Sequence, residues 1–443
     1  MSMDTGVAAV PGAVKSNTAD RKQMRRILAS SFLGSAIEFY DFLLYATAAA
    51  IVFPKIFFHG LSPAMASFAA FGTLAAGYTA RPLGGIVFGH FGDRVGRKGA
   101  LIVSMLAIGF ATVTIGLLPS TAQIGPTAVV LLLLLRILQG LAVGGEWGGA
   151  MLIAIEHAPG GKRGFAASFA NLGAPAGSLL AAGAMLLASL LPDEQFFSWG
   201  WRVPFLASVV LISIGMFVRL RISESPMFQQ FEVEAEKRRI PIIEVLTRHP
   251  RNVVLGLLVA ISQLTISGMV AVWAVNFAVQ NGAGKTDVLN AKTLSAIVLF
   301  LFTFVSARAC DRLGRKPIMG AGIIAAIAFA YPMLLLVQSG SAFSFAIAIM
   351  VGQAIQGTIL GPLAAFLAEL FPTKVRFTGA SLCFQGASTL GAGFTPVIAA
   401  AIVAATGGSV ALVGIAWIAA LVVCFIALLK SPDGQRQDLA EIR

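Results

Sequence analysis

Apolar runs of membrane-spanning length recur from Ile27 to Leu429 with short polar breaks between them, and no other feature limits the fold as strongly. A bilayer core needs roughly 20 predominantly apolar residues per helical crossing, and only helices or closed barrels satisfy their backbone polar groups in lipid. The runs predict helices near 27–53, 64–91, 99–118, 126–156, 165–191, 201–221, 251–280, 291–309, 317–337, 342–369, 378–405 and 410–429. The expected fold class is an all-α membrane protein with twelve transmembrane helices. Composition agrees: 57% of the 443 residues are hydrophobic and 12% are charged, whereas soluble domains carry about 25% charged residues. The first 26 residues are polar, and the run that follows is too long for a signal-peptide core, so it is expected to stay as a span.

A net charge of +12 can signal a nucleic-acid partner, so the position of the basic residues decides its meaning. With the amino terminus cytoplasmic, most of them fall in cytoplasmic loops and tails. Only Lys55, Arg202, Lys285 and Lys292 go to the outer side, and Arg81 and Arg136 lie within spans. This asymmetry is the positive-inside pattern of a multi-pass inner-membrane protein with both termini cytoplasmic. It points to lipid headgroups as the partner of the charge and away from nucleic acid.

The long hydrophilic stretch 222–250 divides the chain into bundles at 27–221 and 251–429, with tails at 1–26 and 430–443. The halves repeat. Gly92–Lys98 (GDRVGRK) follows span 2, and Cys310–Lys316 (CDRLGRK) follows span 8; Glu156, Pro159, Arg163 and Ser168 recur as Glu369, Pro372, Arg376 and Ser381, a shift of about 215 residues. Two such echoes predict two pseudo-repeated six-helix bundles, and parallel halves with a site between them are an architecture of secondary transporters. In the repeated loop the glycine permits a tight turn, the basic residues hold the loop at the cytoplasmic face, and the aspartate can accept hydrogen bonds from a neighbouring helix amino terminus, latching one conformation.

Ionisable residues inside spans are expensive against lipid, by roughly 2.5–3.5 kcal/mol on insertion scales, and therefore mark function. Glu38 and Asp41 in span 1, Arg81 in span 2, and Arg136 and Glu146 in span 4 are the candidates. The i, i+3 spacing of Glu38 and Asp41 puts both carboxylates on one helix face. Three acids against two bases leave one acid in excess, which suits a carboxylate that gains and loses a proton. Glu146 lies about 80° around the helix from Arg136, so the two are not expected to pair. The structural alternative is that Glu38 or Asp41 pairs with Arg81 to pin spans 1 and 2. The second half offers amides in place of charges, Gln263, Asn276, Gln353, Gln356 and Gln385, as donors to substrate or as interhelical contacts. Trp147 and Trp273 can line a cavity or simply pack. Asn171 and Pro175 fall in a stretch where a kink is expected, and the Gly140, Gly144, Gly148 row is expected to be a close-packing face.

Other chemistry is poorly supported. Asn281–Thr286 (NGAGKT) resembles the end of a phosphate-binding loop, but Val279 occupies the first glycine position and no strand precedes it. The four histidines lack zinc spacing, and Cys310, Cys383 and Cys424 read as buried core residues. No cofactor or metal is expected, and the chain is not expected to be an enzyme.

The first loop copy, through Gly89, Asp93, Arg94, Gly96, Arg97 and Lys98, resembles the hallmark loop of the major facilitator superfamily. AIEFYDFLLY (Ala36–Tyr45), ARPLGGIVFGHFGDRVGRK (Ala80–Lys98), RILQGLAVGGEWGGA (Arg136–Ala150), WGWRVPF (Trp199–Phe205) and ELFPTKVRFTGAS (Glu369–Ser381) are similar to the metabolite:proton symporter family, which includes permeases for shikimate, α-ketoglutarate, citrate and proline or betaine. The resemblance covers essentially the whole chain and adds Tyr40 and Gln139 to the substrate and proton candidates. In the second loop copy, with Asp311, Arg312, Gly314, Arg315 and Lys316, Ala307 stands where the first copy has Gly89, so the latch role is assigned more strongly to the first. The resemblance implies a monomeric major facilitator fold performing proton-coupled uptake of a small polar metabolite by alternating access, with a carboxylate-bearing solute favoured. A proline or betaine symporter and a transporter-like solute sensor are the alternatives.

Overall fold

The computed structural model describes residues 18–95, 97–144, 163–220, 241–372 and 375–432. These residues form helices with no strand among them. Twelve long helices are α1 (Thr18–Ile51), α2 (Pro63–Val95), α3 (Arg97–Leu117), α4 (Thr127–Val143), α5 (Arg163–Ser189), α6 (Arg202–Leu220), α7 (Pro250–Gln280), α8 (Lys285–Leu313), α9 (Arg315–Gln338), α10 (Ala342–Glu369), α11 (376–405) and α12 (Ala411–Lys430). Seven of the described helices are each long and apolar enough to cross a bilayer, and an eighth crossing is made if the bent pair Asp193–Gly200 and Arg202–Val218 is one span. Their outer faces keep large apolar side chains exposed, such as Leu117, Leu187, Val210 and Phe343. That is the surface expected of helices whose surroundings are lipid tails.

Several helices run past their apolar cores. α1 begins at Thr18, inside the stretch expected to be a polar tail, and α8 begins at Lys285, six residues before its expected start. Apolar length reports the thickness of the hydrocarbon, whereas helical hydrogen bonding continues into the interface where polar side chains are solvated. Only Gly314 separates α8 from α9, and its φ of 99° is a conformation that glycine adopts without strain. The boundaries at 221 and 222 lie outside the described residues, and the short helix Pro241–Arg248 occupies the end of the 222–250 stretch.

α1–α6 pack as one group and α7–α12 as another, joined chiefly through α5 against α8 and α2 against α11. Close backbone approach locks α2 onto α4: a Cβ on Gly140 would collide with the Gly77 carbonyl, and one on Gly144 with the Arg81 carbonyl. Gly148 lies outside the described residues. Both α7 and α11 widen into a π-helical stretch, at Gly268–Trp273 and Ser388–Gly393, where they face one another. Such widenings are frequent at functional sites.

Candidate transport site

Among the described residues, four charged side chains from three helices are buried in the first group: Glu38 and Asp41 on α1, Arg81 on α2 and Arg136 on α4. Gly77 makes room for the Arg136 side chain to pass α2, since a Cβ there would meet it at 2.5 Å. Phe42 lies between the two guanidinium groups, with its ring centroid 3.7 Å from the central carbon of each. Tyr78 takes the other flank of Arg81 and Tyr45 that of Arg136, at 4.6 and 4.0 Å. Aromatic faces attract a desolvated cation, and an intervening ring lets two like charges approach without contact. Arg136 Nη1 donates to Gln139 Oε1 at 2.9 Å, and Gln139 Nε2 donates to Thr112 Oγ1 at 2.7 Å, fixing the arginine to α3. Arg81 Nε, Arg136 Nε and Arg136 Nη2 have no hydrogen-bond partner among the described residues.

Glu38 acts electrostatically on Arg81 and Tyr78, and Asp41 on Tyr40, whose hydroxyl donates to the Pro204 carbonyl at 2.7 Å. Both carboxylates border a crevice of about 10 Å³ with Gly34, Ile37, Met105, Ile108 and Ile212. A space of that size takes about one water. The carboxylate face of α1 is therefore turned toward α3 and α6, into the first helical group. Glu146 and Trp147 lie outside the described residues.

The second half contributes buried amides. Asn276 donates to the Ala50 carbonyl at 2.6 Å and to Ser67 Oγ at 3.2 Å, and Gln385 donates to the Gly144 carbonyl at 3.3 Å, each reaching across to the first half. Gln263, Gln353 and Gln356 are buried, and their side-chain oxygens have no hydrogen-bond donor among the described residues. Trp273 is buried and stacks on Phe277 with centroids 4.8 Å apart. Asn171 does more than mark a kink, since its Nδ2 donates to the Leu360 carbonyl on α10 at 2.8 Å. Thr389 adds a bond to the Tyr78 carbonyl at 2.7 Å. Near the turn between α7 and α8, Gln280 bonds Ser67 and Lys285 pairs with Asp193. The halves are thus bridged at that end and at mid-depth.

They are bridged at the basic-loop end too. Asp311 Oδ2 accepts from the backbone N–H of Phe165, the third residue of α5, at 3.2 Å. Arg315 ties Asp311 to Glu369, at 3.3 and 3.1 Å, and donates to the Cys310 carbonyl. Phe165 also packs edge-on against Phe304, with Arg308 over both rings. The second loop copy makes this contact despite Ala307, which is fully buried. Lys316 instead holds the Leu429 and Ser431 carbonyls at the end of α12, Gly314 makes the turn, and Arg312 is exposed. Gly96 lies outside the described residues, and Gly89, Asp93, Arg94, Arg97 and Lys98 lie at the ends of α2 and α3 with side chains that are not described.

A family model described as sugar (and other) transporter matches residues 27–241 and 230–442, nearly the whole chain. The chain belongs to the major facilitator superfamily. Solved members share its fold: the D-xylose-proton symporter superposes with a TM-score of 0.74 at 19% identity over 94% of this chain and 99% of that one. Curated relatives include the inner membrane metabolite transport protein YhjE of Escherichia coli K12, 43% identical over 94% of this chain and 95% of its own length. The shikimate transporter of the same organism is 39% identical over 95% and 97%. The proline/betaine transporter of Salmonella typhimurium LT2 is 32% identical over 86% and 78%. As a major facilitator the chain is a multi-pass membrane transporter of small molecules, and its relatives are transport proteins, not enzymes.

One residue of this transporter overturns an expectation from its sequence. Lys292, assigned to the outer side, is 3% exposed, and its Nζ donates to Thr47 Oγ1 at 2.7 Å and to the Ala271 carbonyl at 2.9 Å. The early start of α8 carries it two turns into the helix. The second half therefore does contribute a buried charge. With Lys292 added to Arg81 and Arg136, three bases stand against the three span acids of the sequence, Glu38, Asp41 and Glu146, so the expected excess of one acid disappears. A lysine inside a long apolar window, eight residues into a helix, was the available signal; the assumed span boundary hid it. The cysteines are buried, as their apolar surroundings indicated.

Proposed function

We propose that this transporter is a proton symporter that takes up a carboxylate-bearing metabolite across the bacterial inner membrane by alternating access, acting as a monomer with its basic loops and both termini in the cytoplasm. One observation carries the reading: Glu38 and Asp41 share a buried face of α1 that borders a water-sized crevice, with Glu38 acting on the buried Arg81. A carboxylate sheltered from lipid, close to fixed cations and to space for water, exchanges a proton as its surroundings change between conformations. Glu38 and Asp41 are the proton carriers in this account, with Glu146 a third candidate. Arg81 and Arg136, held by Phe42, Tyr78, Tyr45 and Gln139, set their affinity for the proton. Tyr40 anchors α1 to α6, and Gln263, Asn276, Gln353, Gln356 and Gln385 supply neutral hydrogen bonds from the second half. The basic loops, with Asp311 and Arg315 on the second copy, gate the cytoplasmic end, and 27–221 and 251–429 act as the two rocking units.

The carboxylate substrate is supported by the buried span cations Arg81, Arg136 and Lys292 and by 39% identity to a protein named a shikimate transporter. Purified protein in proteoliposomes should accumulate a labelled organic acid under an inward proton gradient, and an uncoupler should abolish accumulation. Glu38→Gln and Asp41→Asn should retain exchange while losing gradient-driven accumulation in at least one case. Full gradient dependence in both refutes the proton assignment. Uptake of glycine betaine, activated by osmotic upshift, with no acid uptake refutes the substrate class.

A further inference from the structure

Lys292 has surroundings unlike those of the other buried span cations. Arg81 and Arg136 sit among aromatic rings, and Arg81 also feels Glu38, whereas the Lys292 ammonium touches two neutral oxygens, Thr47 Oγ1 and the Ala271 carbonyl in the π-helical stretch of α7. Thr47 already donates its own hydroxyl to the Leu43 carbonyl at 2.8 Å. An ammonium has three donors. Two are used, and the third has no acceptor among the described residues. Glu38 and Asp41 do not serve it: Thr47 is nine residues from Glu38, which at 100° per residue places it on the opposite face of α1. That face looks toward the second half, so Lys292 lies between the two helical groups. A buried charge held only by neutral dipoles is costly, and the cost falls when a carboxylate joins it in a charge-assisted hydrogen bond.

We propose that Lys292 is the group with which the second half recognises the substrate's carboxylate, its free donor being taken up by the incoming anion. The assignment rests on the carboxylate reading above and sharpens it: a monoanionic carboxylate is preferred over the same molecule as an ester. An ammonium on a flexible stem suits a point contact to one carboxylate oxygen, where a guanidinium would impose a two-pronged geometry.

The test titrates purified full-length protein with shikimate and its methyl ester, and with α-ketoglutarate and its dimethyl ester, for wild type, Lys292→Gln, Lys292→Met and Lys292→Arg. At least one acid should bind wild type about 10-fold or more tightly than its ester, because a site built around an ionic donor rejects the analogue that leaves it unpaired. Lys292→Gln and Lys292→Met should abolish the preference, and Lys292→Arg should keep most of it. The methionine fills the same space without a polar group, so it guards against misfolding of the glutamine variant. A lysine that merely clips α8 to α1 predicts acid and ester affinities falling together with their ratio unchanged; that result overturns the proposal. A persisting acid preference in either neutral variant does the same, and leaves carboxylate transport standing. If wild type binds neither acid, the carboxylate reading itself fails, and this assignment with it.

Discussion

Asp311→Asn tests the contact that bridges the two halves at the basic-loop end, proposed above as a gate. Phe165 is the third residue of α5, and the first four N–H groups of a helix have no acceptor within it. Among the described residues its amide is held by Asp311 alone, at 3.2 Å, in a carboxylate-to-helix-terminus arrangement that the positive end of the helix dipole strengthens. Asparagine still accepts the hydrogen bond but loses the charge, and it also loses the ion pair to Arg315 Nη2. A charge-assisted bond is worth roughly 1.5–3 kcal/mol and a neutral one about 1 kcal/mol. The difference, with the dipole, comes to about 1–2 kcal/mol, or a 5- to 30-fold shift from closed to open at this end, at about 1.4 kcal/mol per tenfold. Hydrogen exchange at the amides of residues 163–170 should accelerate by that factor, with peptides from α12 unchanged. Unchanged exchange at Phe165 refutes the carboxylate as the latch. Uniform acceleration throughout the chain shows general destabilisation instead.

Gly140→Ala places a methyl against the Gly77 carbonyl; overpacking of this kind costs about 1–3 kcal/mol, so the midpoint of thermal unfolding in detergent should fall, and an unchanged midpoint contradicts the close α2–α4 packing. Gln139→Leu strips Arg136 Nη1 and Thr112 of a buried partner, a loss of about 1–3 kcal/mol that thermal unfolding should register and that Gln139→Asn should only partly restore. The Lys285 hydrogen bond holds the Asp193 carboxyl below its ordinary value of 3.8. Because the folded value is depressed, the contact stabilises above the ordinary carboxylate range and is lost as pH falls through the lowered value. Wild type and Asp193→Asn should therefore differ at neutral pH and converge in strong acid. The exposure of Asp193 limits the difference to no more than about 1 kcal/mol, reduced further by salt; a gap that widens on acidification contradicts the assignment.

Much of the architecture was legible because the bilayer imposes it locally. Ile27 through Leu429 announce their spans by hydropathy, and Glu38, Asp41, Arg81 and Arg136 announce their burial because lipid would reject them. Gly140 and Gly144 announced a close contact by spacing alone. Lys292 escaped because its meaning depended on where α8 begins, and hydropathy fixes a helix end only to within the width of the interface. A latch was expected more strongly of the first copy, since Ala307 replaces a glycine in the second, whereas the Asp311 contact needs only the carboxylate and the start of α5.

The order of elements, their number and the residues too polar to face lipid are set by the sequence, since each follows from the transfer of a short segment from water to hydrocarbon. Which partner each buried group meets was decided by the folded arrangement. Thr47 accepts from Lys292 across 245 positions, and Phe165 donates to Asp311 across 146. Contacts at such separations arise from how whole helices pack against one another, and no local periodicity encodes them.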